Sequence, residues 1–372
     1  MRFPGWIGPL LSLSLLPAFV RAEVDGPLQA GFETAEFLET LRISTAQADS
    51  AWWPELIPPP QQYRRLHRSA VVGLLNRWDL YADSSGRVCV NLRGSTPELM
   101  SWVENFHAAM VPAKGMVNLS ASQQVRYDLS DDTLAYVHVG WVIGFCSMVQ
   151  DIDARLDSCF REGIRDVLVT GHSQGGALAY LVTAHLNRKR ASGALPADLR
   201  IKTYCSAAPK PGNLYFAYDF EKATFGGWAY NVVNTKDWVP ESPFSIQTAA
   251  DFNALNPFTR ARKAIRTLPF PQDVALAHVY GRMDRPTRKA ERRFRKNLGN
   301  LLARFARREL PELETPEFVE SSAYVRVGNT VPMEPDAAYL DRFQEDGRNM
   351  FVHHMFPPYY HLALLLRDPP CH

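Results

Sequence analysis

Cysteine is scarce in this chain. Five occur in 372 residues, at Cys89, Cys146, Cys159, Cys205 and Cys371. The count is odd and the spacings fit no metal-ligand pattern, which argues against a disulfide-stapled scaffold and against a cysteine-based metal site. Cys89 and Cys205 fall in apolar strand-like runs and read as small core residues. Cys146 and Cys159 share one helical stretch, about 20 Å apart at 1.5 Å per residue, too far for a bridge. Net charge is also small, +2 overall, so the molecule as a whole is no polyelectrolyte. No internal repeat or low-complexity tract is present.

Long apolar runs are equally few. The one that stands out is Trp6 to Val20, which carries no charge, follows Arg2 and ends at Val20-Arg21-Ala22. Pro17 would break a helix just before that point. This is the layout of a secretory signal peptide cleaved after Ala22, too short and wrongly flanked for a membrane span. It predicts a secreted or periplasmic protein. No other segment is apolar enough to cross a bilayer, and residues 23–372 are expected to form a single domain.

What is present is an ordinary globular balance, 46% hydrophobic and 22% charged, and one strongly patterned stretch. Val167-Leu-Val169 is a short β-branched run that reads as a buried strand. Gly171-His-Ser173-Gln-Gly175 follows at once, and Gly176-Ala-Leu-Ala-Tyr-Leu181 turns helical. A G-x-S-x-G between strand and helix is the setting of a nucleophile elbow. Gly171 and Gly175 would remove side chains that collide as strand and helix fold back. The plain alternative is a tight turn holding an ordinary serine.

Around it, strands alternate with helices. Val71 to Leu80 and Arg87 to Leu92 are strand-like, joined by Asp83-Ser-Ser-Gly86. Thr96-Pro-Glu-Leu reads as a capped helix start, and Thr133 to Phe160 has helical periodicity. Arg200 to Asn213 is a strand running into a Pro/Gly turn, and Ala229 to Asn234 is another strand. Glu23 to Tyr63 reads as an N-terminal wrap over the core. The alternation predicts an α/β fold with a mostly parallel central sheet and helices on both faces.

Four motifs now carry a resemblance: Leu92-Arg-Gly-Ser95, His138-Val-Gly-Trp141, Thr170-Gly-His-Ser-Gln-Gly-Gly-Ala177 and Ala208-Pro-Lys-Pro-Gly-Asn213. Val233-Asn234 with Asp237-Trp-Val-Pro240 extends it. The chain resembles the lipase class 3 family, the fungal-lipase-like α/β-hydrolases, over residues 70 to 245. Gln174 departs from the leucine commoner there, but its expected contribution is its backbone N–H. The resemblance implies a serine ester hydrolase acting on acylglycerols or related lipid esters, with no cofactor and no metal; a non-lipid esterase of feruloyl or acetyl esters and a catalytically dead lipid-surface-binding protein are the alternatives.

A serine hydroxyl needs a base and a group that holds the base. In this fold the order is Ser, Asp or Glu, His. Asp237 stands just past a strand end; its plainer reading is a loop aspartate capping its own turn. His278, His353, His354 and His361 follow it in the chain. In the family the base sits in the loop before the last helix, with a tyrosine a short way in, which fits His354 and Tyr359 and leaves His353 and His361 as alternatives. The resemblance assigns the oxyanion donors to the N–H of Gln174 and to Ser95, whose simpler role is a helix cap. His172 reads as structural.

Between Asp237 and His354 the chain is too long for a direct connection, so about 247–328 reads as an insertion. Its Arg282–Arg308 stretch holds eleven bases against two acids, +9, leaving −7 for the rest. Ala290, Phe294, Leu298, Leu301, Leu302 and Phe305 recur at helical spacing. Two readings stand. One is a solvated helix packed on the acidic remainder. The other is electrostatic contact with an anionic membrane or lipid droplet surface. Nucleic acid is not an expected partner, because no recognised module is present. Oligomeric state is not legible.

Overall fold

The computed structural model describes residues 26–48 and 56–366. The expected signal segment 1–22 and Cys371 lie outside the described residues.

In chain order come helix α1 (Thr34–Gln47), strands β1 (Arg64–Arg68), β2 (Trp78–Ala82) and β3 (Val88–Leu92), helix α2 (Leu99–Phe106), short strands β4 (Met110–Pro112), β5 (Lys114–Ser120), β6 (Gln123–Asp128) and β7 (Tyr136–His138), and helix α3 (Val139–Arg161). Then follow β8 (Asp166–His172), α4 (Gln174–Ala191), β9 (Arg200–Ser206), α5 (Leu214–Ala223) and β10 (Ala229–Asn234). A long excursion holds α6 (Ala261–Ile265), α7 (Gln272–Phe294) and α8 (Leu302–Glu309). The chain closes with β11 (Asn329–Met333), α9 (Ala337–Arg342) and α10 (Phe356–Leu365).

The main sheet runs β1-β2-β3-β8-β9-β10-β11. β1, β2 and β3 pair antiparallel, and everything from β3 onward is parallel. Every residue of β8 is buried, as expected for a central parallel strand covered on both faces. Val167 and Val169 point into one core with residues of α3 and α4; Leu168 points into another with residues of α1 and α10. The fold is therefore α/β with helices on both faces. β11 sits at the sheet edge, where Pro332 is tolerated because no outer neighbour needs its N–H.

Several local readings change. Val71–Leu80 is not one strand. Gly73 and Leu75 take positive φ, Val72 and Asn76 bridge each other, and the strand starts only at Trp78. β1, Arg-Arg-Leu-His-Arg, went unread because an edge strand turns its charges to solvent and shows no apolar alternation. The helix after Ser95 starts later than Thr96. Its N-cap is Glu98, with no side-chain cap, and Thr96 instead donates its N–H to Ser101 Oγ. Thr133–His138 ends in β7, so α3 begins at Val139. The segment before Tyr63 is more than a wrap: α1 forms part of the second core. Wholly buried Lys202 on β9 pairs with α1 Glu36 at 2.5 Å, and Tyr204 donates to the same carboxylate.

β10 and β11 are neighbours, yet residues 235–328 lie between them. Ile246 and Ser322 bridge across the base of the excursion. Its helices do not keep one continuous α-helical stripe. Arg295–Leu301 is wound as a π-helix, so Leu301 turns outward while Ala303 and Ala306 face inward.

Candidate active site

Ser173 occupies the turn between β8 and α4 with φ 61° and ψ −127°. Such a conformation is costly for serine and persists only where the surroundings enforce it. A Cβ on Gly171 would lie 2.3 Å from the Gly175 carbonyl, so the sharp turn needs glycine there. Gly175 has a different reason from the one expected. Its added Cβ would meet Leu92 O of the neighbouring strand at 2.2 Å. Ser173 N–H donates to Ser206 O at 2.9 Å, tying the elbow to β9. The first turn of α4 stands directly behind the hydroxyl.

The loop before α10 brings His354 to this hydroxyl, with Nε2 2.8 Å from Ser173 Oγ. His354 Nδ1 is 2.8 Å from Asp237 Oδ2. Asp237 is buried, and a carboxylate there can only accept. Nδ1–H therefore donates to it and Nε2 is left to accept the serine proton. Asp237 also accepts from Tyr359 OH at 2.8 Å and from Val239 N–H at 3.0 Å. Burial first, then the nearby Asp237 charge, push Tyr359 well above the usual phenol range, so it stays a donor.

The other histidines fall elsewhere. His353 places Nδ1 2.8 Å from Tyr339 OH and Nε2 3.1 Å from Glu345, while its carbonyl accepts from Asn234. His361 is inside α10 against Tyr339 and Phe343. His278 is exposed on α7. His172 does more than pack. Its Nε2 is 2.8 Å from the His354 carbonyl, which can only accept, so Nε2 carries the hydrogen and Nδ1 accepts from Ser206 Oγ at 3.0 Å. Burial holds this ring well below the usual histidine range, so it stays neutral. It fixes the backbone of His354.

Ser95 is not a helix cap. Its Oγ accepts from Asn105 Nδ2 at 2.7 Å, so its own hydrogen is what it can offer to the cleft. Asn105 is held in turn. Its Oδ1 accepts from Trp141 Nε1 at 3.2 Å and its carbonyl from His138 Nε2 at 3.0 Å. His138 stacks on Trp141 with ring centroids 3.7 Å apart, and burial keeps it neutral. Gly140 is required because an added Cβ would lie 2.0 Å from Glu104 O. The His138-Val-Gly-Trp141 motif thus acts on the site through Asn105, a residue the sequence did not single out. Nothing local in the sequence marks Asn105 for that role.

Ser173, His354, Ser95 and Gln174 open onto one cleft of about 1320 Å³. Its wall is mostly apolar, including Leu75, Trp102, Phe106, Trp238, Phe244 and Phe351. Phe244 and Met350 are 81% and 74% exposed near the mouth and in the neighbouring loop. Typical ligand clefts hold about 300–1,000 Å³, so this one is large. Among the described residues no cluster of metal-ligating side chains occurs.

The profile of the lipase (class 3) family matches residues 89–247. A secreted mono- and diacylglycerol lipase of Malassezia restricta is 25% identical over 45% of this chain and 50% of its own length. Phospholipase A1-II 6 of Oryza sativa is 28% identical over 42% of this chain and 40% of its own. The chain thus spans about half the length, or less, of the curated relatives it matches. Among solved structures, a Rhizomucor miehei lipase propeptide complex aligns at 18% identity and TM-score 0.41, covering 58% of this chain and 65% of that one. Lip2 lipase of Yarrowia lipolytica aligns at 18% and 0.41, covering 59% and 78%. His354 lies beyond the matched segment, whereas Ser95, Ser173, Gln174 and Asp237 fall inside it. Over residues 89–247 the chain is similar to the lipase (class 3) family.

Proposed function

We propose that this protein is a secreted serine hydrolase of lipid esters. The observation that carries the reading is the Ser173–His354–Asp237 hydrogen-bonded series opening into a large apolar cleft. Ser173 Oγ attacks the ester carbonyl while His354 Nε2 takes its proton; Asp237 holds the imidazole and stabilises its charged form. The N–H of Gln174 and the Ser95 hydroxyl hold the negative oxygen of the tetrahedral intermediate. His354 returns the proton to the departing alcohol. Water, activated by the same imidazole, then cleaves the acyl-enzyme.

Cleft size and apolarity favour acyl chains over acetate or aromatic acids. Secretion is supported by the layout of residues 1–22 and by the secreted Malassezia relative. Contact with an anionic lipid surface is supported by α7, whose bases Arg282, Arg285, Lys289, Arg292 and Arg293 are exposed. Hydrolysis of a series of esters from acetate to oleate, in solution and as emulsion, tests the substrate class. The expected rate rises with chain length. A maximum at acetate, with no response to emulsion, would instead make the protein a short-chain esterase.

A further inference from the structure

Helix α2 carries a buried acid that the reaction above does not use. Glu104 is wholly enclosed. Its two oxygens accept from Asn76 Nδ2 at 3.0 and 2.9 Å. The Gln174 carboxamide is its other polar neighbour, with a buried Nε2 that makes no hydrogen bond of normal geometry. An added Cβ on Gly144 of α3 would lie 2.4 Å from the Glu104 carboxyl, so α3 is cut away to admit it. Gln174 is itself buried, and its Oε1 accepts from Ser101 Oγ at 3.2 Å. Ser101 Oγ then accepts from Thr96 N–H at 3.1 Å. Glu104, Gln174, Ser101 and Thr96 therefore form one polar series. It starts on α2, passes the residue after the nucleophile and ends one residue beyond Ser95.

An apolar residue at 174 would satisfy packing alone. Here Ser101 Oγ–H holds the Gln174 carboxamide by its oxygen and leaves the buried Nε2 beside Glu104, so the polar side chains on α2 fix how Gln174 sits. Two of its members, Gln174 and Thr96 beside Ser95, flank the proposed oxyanion pocket. We infer that Glu104 is a positioning residue: with Gln174 and Ser101 it forms a buried bridge that sets the Gln174 N–H and the Ser95 loop at the spacing the oxyanion needs. The inference rests on the hydrolase reading and adds to it a component that binds no substrate.

The bridge also has a pH signature. Burial pushes Glu104 up to about 8, only partly offset by the two amides, and no charged side chain contributes. At neutral pH it is mainly the uncharged acid. As pH rises through about 8 it ionises and sets a negative charge beside Gln174. That charge opposes the one developing on the substrate oxygen, so kcat falls on the alkaline side.

Hydrolysis of a soluble ester by purified wild type, Glu104→Gln, Ser101→Ala and Ser173→Ala, from about pH 6 to about pH 10, tests this. Glu104→Gln keeps the shape and cannot ionise, so it should remove the alkaline fall and raise the ratio of kcat above pH 8 to kcat below it several-fold. Ser101→Ala should lower kcat about tenfold with KM unchanged, less than the 10²–10³ lost with a whole donor. A Glu104→Gln profile matching wild type, with full kcat in Ser101→Ala, would overturn the bridge while leaving the hydrolase reading intact. Activity surviving in Ser173→Ala would remove that reading, and the bridge with it.

Discussion

His354 and His353 are adjacent and equally buried, yet only one reaches Ser173. The difference is made by what holds each backbone. His172 Nε2–H takes the His354 carbonyl and Asn234 takes that of His353. Asn105 has a similar hidden role, since it links the His138–Trp141 stack to Ser95. Asn105→Ala should lower kcat by about ten- to a hundredfold with little change in KM, because Ser95, the proposed oxyanion donor, loses its support. Steady-state kinetics on a soluble ester check this; a change confined to KM would show that Asn105 serves binding alone. Ser173 stands out in the sequence because strand and helix signals flank its turn, and Asp237 because it follows a strand; His354 is singled out only by what the family resemblance implies, with His353 and His361 left open. His172, Asn105 and Glu104 act through contacts between residues far apart in the chain, or through burial, and neither leaves a local pattern.

Among elements, the excursion gives the clearest lesson. Its basic, periodic character was legible; how the charges are used was not. Arg288 pairs with Asp284, which Arg262 also holds at 2.7 Å, and Arg295 pairs with Glu291 and Glu320. All three acids belong to the excursion, and only Glu320 lies outside the basic stretch. The apolar stripe also divides. Phe294 is buried, whereas Leu276, Val279 and Met283, on the same side of α7 by helical spacing, are 47%, 53% and 66% exposed. An exposed apolar turn followed by exposed bases suits an anionic interface, where each base near the surface contributes about 1 kcal/mol at low salt. Lys289, Arg292, Arg293 and Lys296 changed together to Gln should reduce sedimentation with phosphatidylglycerol-containing vesicles and spare hydrolysis of a soluble ester. Equal vesicle binding by both proteins would count against the contact. The π-helical turn that reorients Leu301 could not be read, because strict α-helical spacing was assumed across it.

At the scale of the whole molecule, the parallel sheet follows from alternating β-branched runs and helices, and four of the motifs follow the ends of β3, β8, β9 and β10 in sequence order, whereas His138–Trp141 follows β7 outside that sheet. What burial does to charge is a further property of the assembled molecule. His107, His138 and His172 are all enclosed, and desolvation holds each below the usual histidine range, His107 at about 4. A histidine with a lowered folded pKa binds fewer protons folded than unfolded. Its contribution is present above about pH 6.5 and is lost as pH falls toward the folded value. His107 alone should cost about 2 kcal/mol between pH 6.5 and pH 5 at about 1.36 kcal/mol per unit. Thermal unfolding should therefore shift to lower temperature across that window, and a Tm that stays level would contradict the neutral, buried assignment.

The central claim is that Ser173 is a nucleophile activated by His354. Reaction with a fluorophosphonate, followed by peptide mapping, measures it without choosing a substrate. The account predicts one labelled serine, Ser173, with labelling abolished in Ser173→Ala, slowed by orders of magnitude in His354→Ala and little changed in His353→Ala. Label on another serine, or labelling at the wild-type rate in His354→Ala, would contradict it.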